Sequence, residues 1–312
     1  MSKKQFQKNG DAPLNIEKKI PVSAKLALVA ACFFWAASFI ATKTALDNIP
    51  PLTLVTLRLV ISSLCFLVWL LVMKRKIPFG GSAWFRRLFL LSLFGTGLHY
   101  GIQTVGIQYT TASNASLYAV TGPISITIIA ALFLGERITL KKAVGIGCAM
   151  VGVLMVMGFD TLLAFELKGH LVGDLLVLAS ISMWGIFTVL GKGMIRQMSA
   201  IDLTAMVTFM GTLYMIPIGW FESHQQSFSL AAIPLDAWAA VAFLGITCSF
   251  LATLLYFFAL ERAESQKVGV YLYTIPPMTY IIAALYLKET IGINLILGSL
   301  VVLAGVYMTE KG

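Results

Sequence analysis

The chain has 312 residues, 58% of them hydrophobic and only 12% charged, with a formal net charge of +9. A soluble domain carries about a quarter charged residues, so this composition excludes a soluble globular enzyme, a coiled coil and a disordered chain. Mean hydropathy is +0.87, and the apolar runs exceed the roughly 18 residues that mark a membrane-spanning helix.

Residues 1–24 are polar, lysine-rich and aperiodic. They read as a disordered cytoplasmic tail, too long to head a cleaved signal peptide. Ten apolar runs follow, near 25–46, 51–73, 86–108, 112–134, 140–158, 170–193, 201–221, 236–260, 266–287 and 290–309. Each approaches the length of about 20 residues that a bilayer core requires. The expected fold is an all-α integral membrane protein with ten transmembrane helices. Of the 23 lysines and arginines, 19 fall on the side that carries the N-terminus. Positive charge stays inside, which places both termini in the cytoplasm and the chain in the cell (inner or plasma) membrane. It also accounts for the net charge without nucleic acid. The four cysteines, all within apolar runs, read as small buried residues rather than disulfides.

The chain repeats itself. Shifted by 153, residues 118–155 fall on 271–308 without a gap, and 15 of the 38 positions are identical. Tyr118, Thr121, Pro123, Glu136, Gly145 and Gly152 meet Tyr271, Thr274, Pro276, Glu289, Gly298 and Gly305. Helices 1 and 6 align at a shift of 149, which pairs Trp35 with Trp184 and Lys43 with Lys192. The halves are 25–158 and 170–309. Five helices is an odd number, so the second half enters the membrane from the opposite side. Two inverted five-helix repeats suit alternating access, in which two states of similar energy open to opposite sides.

The motifs of each half carry a resemblance. Phe34-Trp35-Ala36-Ala37-Ser38-Phe39, then Pro51 and Arg58, then Ala-Leu-Phe-Leu-Gly-Glu at 131–136 and Ala-Leu-Tyr-Leu-Lys-Glu at 284–289, resemble the EamA-type members of the drug/metabolite transporter superfamily. The resemblance covers about residues 25–309. It implies export of amino acids or related small organic metabolites. Arg58 departs from the repeat, since Val207 occupies the matching position.

Enzyme chemistry finds no support. There is no Gly-x-Ser-x-Gly elbow, no His-Glu-x-x-His pair and no phosphate loop, so no catalytic residue, cofactor site or metal site is expected. A membrane sensor or assembly subunit on the same fold is the alternative to a transporter.

Matched helix interruptions in two halves are the best sequence pointer to a transport site. Pro123, Pro276 and Pro277 are the expected breaks, with the carbonyls of Ala119, Leu272 and Tyr273 freed one turn earlier. The expected solute-binding residues around them are Asn114, Tyr118, Thr121, Tyr271, Tyr273 and Thr274. Trp35, Ser38, Arg58 and Trp184 from helices 1, 2 and 6 join them, with His99, Tyr100 and Gln103 from helix 3. Such a cavity suits a neutral or zwitterionic organic solute. His99 is the one group inside a span that titrates near neutrality. Lys43 and Lys192 read as cations at their own helix ends that reach the headgroups. Glu136 and Glu289 read as partners of the adjacent loop or helix start. The glycine faces of helices 5 and 10 serve internal packing or a homodimer seam. The remaining expected partner is the lipid bilayer.

Overall fold

The computed structural model describes residues 20–75, 80–109, 115, 118–119, 121–157, 167–195, 197–287 and 293–312. The tail up to residue 19 lies outside them, as do Asn114 and Glu289. Ten helical segments follow in order: α1 Val22–Leu46, α2 Pro51–Val72, α3 Ser82–Gln108, α4 Thr121–Leu134, α5 Leu140–Met157, α6 Leu167–Ile195, α7 Ala200–Gln225, α8 Leu235–Leu260, α9 and α10 Ile293–Lys311. In α9 a 3-10 stretch, Val270–Thr274, joins Ser265–Gly269 to Ile275–Leu287. No strand occurs among the described residues. Six segments, α1, α2, α3, α6 (over Leu171–Ile195), α7 and α8, are long and apolar enough to cross a membrane.

Large apolar side chains lie exposed on the outer helix faces, such as Leu64, Leu67, Val68 and Leu71 of α2, Leu213 and Trp220 of α7, and Leu300 and Leu303 of α10. On a water-soluble protein a patch of this extent would drive association. On a membrane protein it faces acyl chains.

Two pairs of helices set the frame. In α5 and α10 the glycines admit backbone to backbone contact. A Cβ on Gly145 would lie 2.8 Å from the Gly305 carbonyl oxygen, and one on Gly152 would lie 2.8 Å from that of Gly298. Residue numbers rise along one helix as they fall along the other, so the two run antiparallel. The small-residue faces of α5 and α10 are thus used on each other inside one chain. The contacts are also reciprocal: 145 meets 305, and their counterparts at a shift of 153, 298 and 152, meet in turn. At the centre, the Cys148 thiol approaches the carbonyl of its own counterpart, Val301, at 3.8 Å. The α2–α7 pair repeats this pattern. Thr56 bonds the Met215 carbonyl at 2.9 Å, Arg75 pairs with Asp202 at the other end, and Ser63 bonds Thr212 midway at 2.7 Å. Ser63 and Thr212 are counterparts at the shift of 149.

Both α3 and α8 widen into π-helix, at Leu93–Leu98 and at Leu244–Ala252. These segments begin 151 residues apart, so the distortion repeats. A cause is visible in α3. The Tyr214 hydroxyl reaches in from α7, donates to the Ser92 carbonyl at 2.6 Å and accepts from the Gly97 N–H at 3.0 Å. A side chain inserted into the backbone ladder opens the turn. In α8 the Thr253 hydroxyl takes the Cys248 carbonyl at 3.2 Å.

Five ion pairs gather at the end that carries Val22 and Lys311: Lys25–Glu310, Arg75–Asp202, Lys142–Glu264, Lys192–Glu136 and Arg262–Glu261. Lys192, expected at the headgroups, is instead buried to 2% exposure. Its ammonium contacts Glu136 at 3.2 Å and donates to the Ala263 carbonyl. Glu136 also accepts the N–H groups of Ser265 and Gln266 at 2.8 and 3.2 Å, capping the start of α9. Burial pushes the Glu136 carboxyl up, but Lys192 and those N–H groups outweigh it and hold it below its ordinary value.

Candidate functional site

A cavity of about 80 Å³ lies between α1, α2, α3, α4, α6 and α9. At roughly 10–15 Å³ per water it has room for several waters. It is deep in the bundle. Arg58 is seven residues into α2 and Trp184 eleven residues from the end of α6, or about 10 and 16 Å at the helical rise.

Its wall is an aromatic array. The Trp35 and Trp184 rings meet edge to face, with centroids 5.1 Å apart. Tyr256 of α8, wholly buried, packs against both at 5.3 and 5.5 Å. The His99 ring lies 5.0 Å from Trp184 on one side and 5.0 Å from Tyr100 on the other. The Arg58 guanidinium sits over the Tyr100 ring at 4.2 Å, a favourable cation–π position.

The π segment of α8 supplies the anchors. The Trp35 indole N–H donates to the Cys248 carbonyl at 3.3 Å, and the Arg58 Nε–H donates to the Ser249 hydroxyl at 2.8 Å. His99 Nδ1 lies 2.9 Å from the Ser180 carbonyl. A carbonyl only accepts, so Nδ1 carries the proton, and in the neutral ring Nε2 is left as an acceptor. The Ser38 hydroxyl gives its hydrogen to the Trp35 carbonyl at 2.6 Å.

Of the residues expected from sequence, Trp35, Ser38, Arg58, His99, Tyr100, Gln103 and Trp184 line this cavity. Tyr118, Thr121, Tyr271, Tyr273 and Thr274 do not. Tyr118 bonds the Asp174 carboxylate. Tyr271 turns towards the ion-paired end, where its hydroxyl donates to Glu310 at 3.0 Å. Tyr273 is fully buried. The prolines lie in the first turns of their helices rather than in a helix interior: Pro123 in α4, and Pro276 and Pro277 in the second part of α9. Two of the carbonyls expected to be free are taken. Ala119 accepts from Gly122 N–H at 3.0 Å, and Leu272 accepts the N–H of Ile275. The two breaks match in detail. Thr121 donates to the Tyr118 carbonyl and Thr274 to the Tyr271 carbonyl, each at 2.7 Å.

Sequence reasoning missed Phe39, Gly122, Ile181 and Ile275 of the lining, and Tyr256 behind it. The apolar ones carry no signal that separates a cavity wall from a core. Among the described residues no three His, Cys, Asp or Glu side chains converge as a metal site.

The EamA-like transporter family model matches the chain twice, over residues 22–158 and 171–310. The chain belongs to the EamA-like transporter family. It is therefore a multi-pass membrane protein of a transporter family within the drug/metabolite transporter superfamily. An uncharacterized transporter of Archaeoglobus fulgidus is 30% identical over 91% of this chain and 96% of its own. The uncharacterized transporter YoaV of Bacillus subtilis is 26% identical over 92% and 96%. A probable terminal-alkyne amino-acid exporter of Streptantibioticus cattleyicolor is 23% identical over 91% and 92%. A solved crystal structure shares the fold with a TM-score of 0.75 at 19% identity, covering 92% of this chain and 98% of that one.

Proposed function

We propose that this protein is a secondary transporter, working as an exporter, of small organic metabolites such as amino acids or related compounds. Its ten helices span the membrane as two inverted five-helix repeats with both termini in the cytoplasm. The halves rock about a solute held at mid-depth. One observation carries the reading: residues related by the repeat touch each other, one such pair at the wall of a polar, aromatic cavity. Trp35 meets Trp184, Ser63 meets Thr212 and Cys148 meets Val301. Counterparts meet their own partners only on a two-fold axis. An axis that relates the antiparallel α5 and α10 crosses both helices, which supports the inverted arrangement of this reading. Inverted halves related in this way provide two states of similar energy.

The solute site in this reading is formed by Trp35, Ser38, Arg58, His99, Tyr100, Gln103 and Trp184. The amino-acid class draws support from the named activity of the Streptantibioticus relative. A sensor or assembly subunit would need no flux. Proteoliposomes holding the purified chain, assayed with the twenty labelled amino acids, separate the two. Saturable movement of at least one is expected, and empty vesicles give the background. Leakage indistinguishable from that background for every solute would overturn the reading.

A further inference from the structure

Arg58 differs from two of the other buried cations. Lys142 and Lys192 each contact a carboxylate. Arg58 is just as buried, at 4% exposure, yet it takes part in none of the five ion pairs. Its Nε–H is used on Ser249 and its face on Tyr100. The two outer nitrogens have no partner among the described residues. They are also not sealed in protein, and the side chain lines the cavity. A charge held at this depth is costly, and one that persists without a partner marks a binding role.

We infer that Arg58 is the specificity-determining residue of the cavity and that it receives the carboxylate of a monocarboxylate solute with an apolar body. This rests on the transporter reading and narrows its substrate class. Three features of the wall support it. The free end of the guanidinium is a planar two-pronged donor, which matches a carboxylate in shape as well as charge. Among the described residues no second cation lines the cavity, so a single negative charge is balanced and a dianionic phosphate is not. The other polar groups have acceptor capacity: His99 Nε2, the Gln103 amide oxygen and the Ser38 hydroxyl, whose hydrogen is already given to Trp35. These suit an ammonium or hydroxyl close to the carboxylate, and Trp35, Trp184 and Phe39 receive an apolar body. An α-amino acid with an apolar side chain uses every part of this wall.

The test is counterflow in proteoliposomes of the full chain with three matched sets: L-phenylalanine, L-leucine and L-methionine, their carboxamides, and the corresponding decarboxylated amines. Phenyl phosphate serves as the dianion. The expected result is saturable exchange of an acid that exceeds its amide and amine by about ten-fold or more, the loss of one charge-assisted pair. Phenyl phosphate should be excluded. R58Q should reduce the acid-to-amide ratio to about two-fold or less, and R58K should restore part of it. If R58Q does not fold, the ratio in the wild-type chain decides. Amides or amines moving as well as their acids would overturn the role of Arg58 while leaving a transporter. So would a folded R58Q that keeps the full preference. Saturable flux of none of these compounds would overturn the carboxylate assignment, and the twenty-amino-acid assay then shows whether the transporter reading falls with it.

Discussion

Trp35 and Trp184 occupy the same position in the two halves of the chain, and their rings touch edge to face with centroids 5.1 Å apart. Each half contributes one wall of the cavity at this point, and Tyr256 packs behind both rings. An edge-to-face pair adds about 0.5–1.5 kcal/mol beyond the area it buries. If the rings also hold the solute, their removal should act on flux more than on folding. Trp35→Ala is expected to cut saturable flux by about ten-fold or more, equivalent to about 1.4 kcal/mol. Trp35→Phe should retain most of it. Counterflow with each variant, matched for reconstituted protein, checks this. Equal flux in Trp35→Ala and wild type would remove Trp35 from the site.

The Lys192–Glu136 pair, 2% and 8% exposed at the side chains, should obey the rule for buried ions. Removing one partner leaves an unpaired buried charge and costs about 3–5 kcal/mol, whereas replacing both with apolar residues is far milder. Lys192→Met alone should therefore lower the melting temperature more than Lys192→Met with Glu136→Leu. Thermal unfolding in detergent measures the order, and the reverse order would contradict the burial.

The same carboxylate gives a pH dependence. The Glu136 carboxyl is held below its ordinary value, the lifting effect of burial being exceeded by Lys192 and the N–H groups of Ser265 and Gln266. A group depressed in the folded state contributes stability that is complete above its ordinary value and lost as pH falls through the lowered one. Wild-type stability should drop as pH falls below the carboxylate range. Glu136→Gln, already without the ionised form, should show a shallower drop. Melting temperatures from pH 7 to pH 3 test this, and parallel curves would refute it.

The α5–α10 contact predicts a sharp contrast between neighbouring glycines. A Cβ at Gly145 would lie 2.7 Å from the Thr309 backbone nitrogen, whereas one at Gly147 meets nothing within 4 Å. Gly145→Ala should cost about 1–3 kcal/mol through overpacking, and Gly147→Ala should be neutral or slightly stabilising. Denaturation in mixed detergent compares them.

Topology is open to labelling. On a cysteine-free background, Ser223→Cys should react with an impermeant maleimide on intact cells. Ser82→Cys should react only after permeabilisation. Ser82 is exposed and Ser223 is half-buried at the opposite end of the bundle. Equal reaction from outside would reject cytoplasmic termini.

Much of this architecture was legible in the residues. The gapless repeat and the paired Trp35 and Trp184 marked equivalent positions, because a duplicated fold keeps the residues that its contacts need. Their meeting across the bundle was not legible, since equivalence along a chain says nothing of distance between copies. The π segments were hidden for a related reason. The α3 distortion depends on Tyr214, a residue more than a hundred positions away. The prolines suggested breaks inside helices, whereas each lies in the first turn of its α segment, where proline removes no bond within that segment. Tyr271 was misplaced because an aromatic ring with a polar tip also satisfies itself on a buried carboxylate, here Glu310. Lys192 was misplaced because its partner, Glu136, lies 56 residues away.

The reciprocal contacts also sort mutations by their effect on the two opposed states of such a bundle. If the halves exchange roles as proposed, a pair on the axis maps onto itself, so Trp35–Trp184, Ser63–Thr212 and Cys148–Val301 would weigh equally on either state. A pair off the axis maps onto a different pair: Gly145 with Gly305 becomes Gly298 with Gly152. Weakening an axial pair changes the height of both wells together and leaves their ratio alone. Weakening one member of an off-axis set tilts the ratio, because a ligand or a mutation shifts a two-state balance only through its difference between the states.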